Sequence, residues 1–358
     1  MPIDATEHQA PAHVATQEET SMQGSAVIPK VVPCPAPLLV LPALVGMLVA
    51  TAPSPASAQP AFPTRALRMI VPFTPGGFTD LMARTVGEHL SRSLGQPVLI
   101  DNRPGANGII GAEALSKAAP DGYTTGMVIA GHAASQSLYA KLPYHSVKSF
   151  EPVSLVGVAP LLLVAGNGLA ARDLKEMLVL ARAKPGTVSF GSSGVGAAAH
   201  LTMELLAQQQ GLKMTHVPYK GTTPALADLM GGHIQLMFDT MSAMLPQVRA
   251  GKIRALGLSS ATRWPTAPEI PTIAEAGVPG FVSGSWAGVL APGGTPGPLV
   301  ERLSGEVAKI VRLPDVRARL AELGVEPSGN TPAEFRVFME AEVARWAAVI
   351  DQAKIRLD

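Results

Sequence analysis

From Leu67 onward the chain alternates between short continuous apolar runs and longer stretches in which apolar residues recur at helical spacing. Met69, Ile70, Val71 and Phe73 form the run expected of a parallel strand covered on both faces. Pro75, Gly76 and Gly77 break it, and Thr79 or Asp80 is placed to cap a helix whose apolar side carries Met82, Val86, Leu90 and Leu94. Gly95 closes that helix. The same alternation predicts a strand over 97–101, a loop over 102–108, a helix over 109–118 and a strand over 123–130 that runs into Gly131-His132-Ala133-Ala134. Strands and helices alternating at this interval predict a parallel sheet flanked by helices, with ligand loops at the strand carboxyl ends.

An apolar stretch over 150–165, interrupted by Pro160, reads as two strands carrying the chain towards a second unit. That unit repeats the design. Helices are predicted over 171–183, 197–210, 224–230 and 243–250, and strands over 188–190, 214–217, 234–238 and 253–258. A strand over 281–290 precedes helices over 298–311, 314–323 and 332–353, which pack back on the first unit. The expected organisation is α/β: lobe 1 over 59–160 and 285–358, lobe 2 over 161–284, and a cleft between them.

The leader differs from the rest. Residues 1–30 are polar and read as disordered, residues 38–50 are apolar, and a Pro/Ala-rich stretch ends in Ala56-Ser57-Ala58. An apolar segment of about a dozen residues before A-x-A is a secretory signal, short for a membrane span. Residues 1–58 are therefore expected to be leader plus signal, cleaved near Ala58, with translation starting at Met1 or Met22. Cleavage removes Lys30 and four of the 27 acids, so 28 basic residues become 27 against 23 acidic, a formal +4. It also removes Cys34, the one cysteine, which excludes an internal disulfide framework and a cysteine metal site. With 47% hydrophobic and 4% aromatic residues and no basic stripe, the chain is core-rich and lacks the electrostatic footprint of a nucleic-acid binder. An exported periplasmic protein is expected.

Two glycine loops feed helix N-termini, which present unpaired N–H groups to a small anion. The first, Pro75-Gly76-Gly77, has Phe78 and Thr79 where a Walker A loop requires Lys and Ser/Thr. The second, Gly191-Ser192-Ser193-Gly194-Val195-Gly196, has the wrong glycine spacing for a dinucleotide site, and Val195 rules out a G-x-S-x-G nucleophile at Ser193. Each is an anion cradle or a plain turn. His132 is a candidate polar contact in the cleft, whereas His200 reads as a satisfied structural group. No H-x-x-x-H or HExxH pattern points to a metal. Asp239 ends a very apolar strand and faces either the cleft or a helix N-terminus that it caps. Tyr219-Lys220-Gly221 places an aromatic, a cation and a flexible residue at another strand end. Of the three tryptophans, Trp286 on the crossing strand is the one placed to touch the cleft.

The ordered segments VPFTPGGFTDLMAR, DNRPGANGIIGAE, APDGYT, LPYHSVKSFEPVSLV, HVPYKGTTPALADLMGGHIQLMFD, GKIRALGLSSATR and PTIAEAGVPGF together resemble the tripartite tricarboxylate transporter solute receptors, the Bug or TctC family, from about Phe62 to the C-terminus. The resemblance implies a type II periplasmic binding-protein fold and a non-catalytic receptor that closes two lobes over a small carboxylate. It implies ligand contacts at Phe73, Thr74, Gly76, Gly77, Phe78 and Asp80 in the first loop, and at Gly131 and His132 in the third. On the second lobe it implies contacts at Ser192, Ser193, Gly194, Tyr219, Lys220, Gly221 and Asp239. Phe78 departs from the small residue usual in the family and is expected to narrow the site or favour an aromatic or apolar acid. No catalytic residue, cofactor or metal is implied. The expected partners are an organic acid, an acidic amino acid or an aromatic acid, and membrane transporter subunits, with the receptor a monomer. A sensor that presents its bound carboxylate to a signalling partner is the alternative. An enzyme on the same scaffold lacks a triad, a metal cluster and a nucleotide fingerprint.

Overall fold

The computed structural model describes residues 62–357. The leader, the signal segment, Cys34 and the choice between Met1 and Met22 lie outside the described residues. The first half runs β1 (Leu67–Val71), α1 (Phe78–Leu94), β2 (Val98–Asn102), α2 (Ile109–Ser116), β3 (Thr124–Ile129), α3 (Gly131–Leu138), β4 (Phe150–Ala159) and β5 (Leu161–Gly166). It continues α4 (Leu174–Ala183), β6 (Ser189–Ser192), α5 (Ala198–Gln210), β7 (Thr215–Pro218), α6 (Thr222–Gly231), β8 (Leu236–Thr240), α7 (Met241–Arg249) and β9 (Ile253–Leu258). The chain ends β10 (Ser285–Pro292), α8 (Gly297–Ile310), α9 (Pro314–Glu322), β11 (Glu326–Pro327) and α10 (Pro332–Gln352).

Two sheets result, ordered β11-β4-β10-β3-β1-β2 and β7-β6-β8-β5-β9. Within the first, β1 pairs in parallel with β2 and β3, as the intervening helices require. Both sheets are mixed, because the crossing strands join them in the opposite sense: β10 runs antiparallel to both β3 and β4, and β5 runs antiparallel to β8 and β9. The reason is the crossing itself. β4 leaves the first sheet, Pro160 breaks its ladder where no N–H is available, and β5 enters the second. β10 brings the chain back beside β4.

Each sheet buries both faces. Met69, Val71, Val86, Val289, Leu303 and Leu320 pack one side of the first sheet, while Ile70, Phe150, Trp286, Phe335 and Trp346 pack the other. Phe190, Leu206, Phe238 and Phe281 share one cluster about the second sheet, and Val164, Met237, Met244 and Trp264 another. The C-terminal helices do return to the first sheet, but α10 also touches the second unit, where Gln208 Nε2 donates to the Val349 carbonyl at 2.8 Å. The crossing is tied by hydroxyls. Ser259 Oγ accepts from Leu161 N at 2.8 Å and donates to the Ser283 carbonyl at 2.7 Å, and Thr202 and Ser283 hydroxyls meet at 2.8 Å.

Three local expectations change. Residues 131–134, read as loop, open α3, whose Gly/Ala/Ser content hides its helical period. The N-cap of α1 is Gly77, not Thr79 or Asp80. Trp286 is fully buried rather than open to the cleft. Its Nε1 donates to Glu342 Oε2 at 3.0 Å, and Trp346 Nε1 donates to the same oxygen at 2.9 Å. One buried carboxylate thus fastens crossing strand β10 to α10. Replacing Glu342 with Leu strands two indole N–H groups, each costing about 1–3 kcal/mol when left unpaired. We expect E342L to lower unfolding stability by ~2–4 kcal/mol in urea titration and E342Q, which keeps an acceptor, to lose clearly less.

Candidate functional site

In both sheets the parallel strands deliver their following helices with N-termini at the strand carboxyl ends. Most of the described helices, α2, α3, α7, α8 and α9 included, begin without a side-chain cap. α4 is capped by Asp173, and α10 by a full Thr331/Glu334 capping box. α1, α5 and α6 begin at Gly77, Ala197 and Gly221 with no capping side chain. Their first N–H groups and the positive end of each helix dipole are left for something else.

The loop before α1 is held in shape by one carboxylate. Asp80 is buried and accepts from Gly76 N at 2.9 Å, from Arg84 Nε at 2.8 Å and from Asn102 Nδ2 at 2.9 Å. Burial opposes its charge, but these hydrogen bonds and the Arg84 cation prevail and hold its pKa at about 2. Asn102 also donates to the Phe73 carbonyl at 3.0 Å, tying the end of β2 to the loop. Phe73 lies against Gly108, where an added Cβ would sit 3.2 Å from its ring. Asp80 is therefore spent inside the protein, and Thr74, Gly76 and Gly77 are the exposed part of the loop. Phe78 is half-buried against the first core cluster, so its ring is shared between packing and solvent.

The third loop behaves differently from the expectation for it. Gly131 is half-buried at the start of α3. His132 is buried, stacked on Tyr144 at 5.5 Å and edge-on to Phe150 at 5.0 Å. Its Nε2 donates to the Ser146 carbonyl at 2.8 Å, and burial pushes its pKa down to about 4. The ring is neutral and committed to the core, with Nδ1 lacking a partner among the described residues.

On the second sheet the expected residues do come together. Tyr219 N donates to the Ser192 carbonyl at 3.0 Å and Gly221 N to the Ser193 carbonyl at 3.1 Å, so loops 192–194 and 219–221 form one surface. Ser193 and Gly194 are partly exposed, with Gly194 at φ +150°, a backbone that disfavours side chains. Ser192 is buried, its hydroxyl shared between His216 Nε2 at 2.7 Å and Gly194. Asp239 is buried too; it accepts from Thr222 Oγ1 and Thr240 N, both at 2.7 Å, and burial raises its pKa. It steadies the start of α6 through a hydroxyl and does not cap the N–H groups. Tyr219 donates to Asp228 at 2.6 Å; burial and that acid push its pKa up to about 12. Lys220 is exposed and has no ion-pair partner among the described residues.

α3 approaches the second sheet, where a side chain at Gly196 would collide with Leu138. Sequence reasoning missed Asn102, Arg84, Leu138 and His216. The Asp80/Arg84 spacing on one helix face was a usable signal for the first pair, whereas Leu138 and His216 take their roles from tertiary packing alone. A cavity of about 970 Å³ lies elsewhere, lined by Glu151, Val300, Ser304, Ala308 and Arg336 among others. It contains none of these loops, and its nearby α10 N-terminus is already capped. Among the described residues no group of three His, Cys, Asp or Glu could hold a metal.

The model of the tripartite tricarboxylate transporter family receptor, TctC, matches residues 82–355. The chain belongs to this family. Solved structures similar to it include an R. palustris protein with adipate, 38% identical, covering 82% of this chain and 99% of that one at TM-score 0.74. The periplasmic binding protein BugD is 34% identical over 82% of this chain and 99% of its own, TM-score 0.71. MatC from Rhodopseudomonas palustris, with bound malate, is 35% identical over 81% and 100%, TM-score 0.70. This chain has the same periplasmic binding-protein fold, and, as in its family, the protein is a solute-binding receptor and not an enzyme.

The Asp80 clasp predicts a pH dependence. A carboxyl held at about 2 against an ordinary 3.8 contributes stability that is complete above pH ~4 and is lost as pH falls towards 2. At about 1.4 kcal/mol per pKa unit the contribution is ~2 kcal/mol. D80N should lose a similar amount at pH 7, and its difference from wild type in chemical denaturation should shrink below pH 4.

Proposed function

We propose that the protein captures a small carboxylate between the two sheets and delivers it to membrane subunits of a tripartite tricarboxylate-type transporter. The observation that carries this is the set of uncapped helix N-termini at α1, α5 and α6, in loops whose acids are consumed internally. Asp80 and Asp239 offer no free negative charge, Thr74 and Ser193 offer hydroxyls, and Lys220 supplies a solvated cation beside α6. Such a site favours an anion through backbone dipoles and hydroxyls, with one cation in reserve for a second carboxylate. The adipate and malate held by the two R. palustris relatives support small dicarboxylates as the first candidates.

On this reading residues 59–160 with 285–358 act as one lobe and 161–284 as the other, hinged at Pro160 and Ser283. Loops from both lobes share the ligand, so the ligand favours closure. Of the residues implied by family resemblance, Thr74, Gly76, Gly77, Phe78, Ser193, Gly194, Lys220 and Gly221 make the contact surface. Asp80, Ser192, Tyr219 and Asp239 shape it from behind, and Phe73 and Gly131 back it. Export with cleavage near Ala58 completes the proposal.

The test is a thermal-shift and calorimetric screen of the chain from Gln59, refolded to strip carried-over ligand. A dicarboxylate at a hundred times its Kd should add about 2.7 kcal/mol of stability. S193F should weaken that binding at least ~10-fold with little change in ligand-free stability. Equal affinity in S193F would remove the second-lobe loop from the site, and no shift with any carboxylate would overturn the proposed ligand class.

A further inference from the structure

Beneath the Ser192–Gly196 loop lie two histidines whose rings are 3.8 Å apart and 13° from parallel, His200 on α5 and His216 on edge strand β7. Phe190 of β6 flanks both, 4.9 Å from His216 and 6.1 Å from His200. Each imidazole holds one end of the loop. His216 Nε2 meets Ser192 Oγ at 2.7 Å, and that hydroxyl in turn binds Gly194. His200 Nδ1 accepts from Gly196 N at 3.1 Å, so its ring proton resides on Nε2, 3.7 Å from Glu204 Oε1.

Neutral imidazoles suit this arrangement. A proton added to His200 must go on Nδ1, where it faces the Gly196 N–H and destroys the acceptor. A proton added to His216 creates a cation stacked on the other ring. His200 is buried, and burial, with His200 alongside, pushes the pKa of His216 down to about 3. The ionisable group contacting the pair is Glu204, on the same helix as His200 and too distant for a hydrogen bond. From β6 the pair meets Phe190 and Ser192, and from the loop the Gly196 N–H. Tyr219 of the next loop is closed on Asp228 of α6.

We infer that His200 and His216 are positioning residues that keep the Ser192–Gly196 loop ready for ligand while both imidazoles are neutral, so that acidification weakens carboxylate binding. The inference rests on the binding reading above and adds a proton dependence to it. In an opened loop His216 returns towards its ordinary pKa of about 6.5, so below that value acidification favours the open form by up to about tenfold per pH unit. Affinity is flat near neutrality and falls once the open form is populated.

The test compares wild type with the double variant H200N/H216Q, whose amides can keep the hydrogen bonds and cannot ionise. Adipate affinity is measured from pH 7.5 to 5.0, where the ligand's own titration is common to both proteins. Hydrogen exchange of the ligand-free segment 191–200, corrected for intrinsic rates, is followed over the same range. Wild type should lose at least ~10-fold more affinity than the variant on acidification and should lose loop protection that the variant keeps. Parallel pH profiles in both proteins overturn the inference. Proton-dependent protection with no carboxylate binding at pH 7.5 overturns the binding reading and its affinity consequence, and retains the histidine control of the loop.

Discussion

A parallel strand followed by a helix has one direction, and that direction gathers the helix N-termini of each sheet at a single edge. This fold places two such edges in one molecule and leaves the first turns of α1, α5 and α6 without side-chain caps. Everything else about the site follows from keeping those turns open. A loop that ends in unpaired N–H groups has little to hold its own shape, so its geometry is fixed from behind. Asp80 performs that task in the first sheet, and His200, His216, Ser192 and Asp239 perform it in the second. Acids that at first sight oppose anion binding are turned inward, each closed by donors of its own.

The same economy governs the crossing between sheets. Pro160 and the Ser259–Ser283 hydrogen bonds set where the chain changes sheet, and Glu342 pins crossing strand β10 to α10 through two indoles. α10 also receives Gln208 from α5, so the last helix senses both units. A tied seam between loops fixed from behind suits a receptor that closes on a ligand, since closure then moves two preformed surfaces without remaking either core.

Most of this architecture was legible from hydrophobic period alone. The Pro160 break, the strand over 253–258 and the three Pro-initiated C-terminal helices all stand within a residue or two of their expected positions. Those features are local, set by backbone geometry and burial. What escaped is non-local. The antiparallel course of β10 depends on where the chain re-enters the sheet. α3 lacked an apolar stripe because its small residues pack closely under α10. His132 looked like a cleft residue because it follows a strand, yet its ring found Tyr144 and Phe150, contacts that no spacing reveals. Trp286 misled in the same way. The stacked histidines, sixteen positions apart, become neighbours only through the order of β6 and β7 beside α5.

If the open first turns of α1 and α5 hold the ligand's carboxylate, their amides must respond to it together. Amide-resolved NMR of the protein titrated with adipate tests this directly. The largest amide shifts should then fall on residues 78–80 and 198–200 and saturate together. Shifts concentrated in the groove between α8 and α10, with both helix starts unmoved, would contradict it.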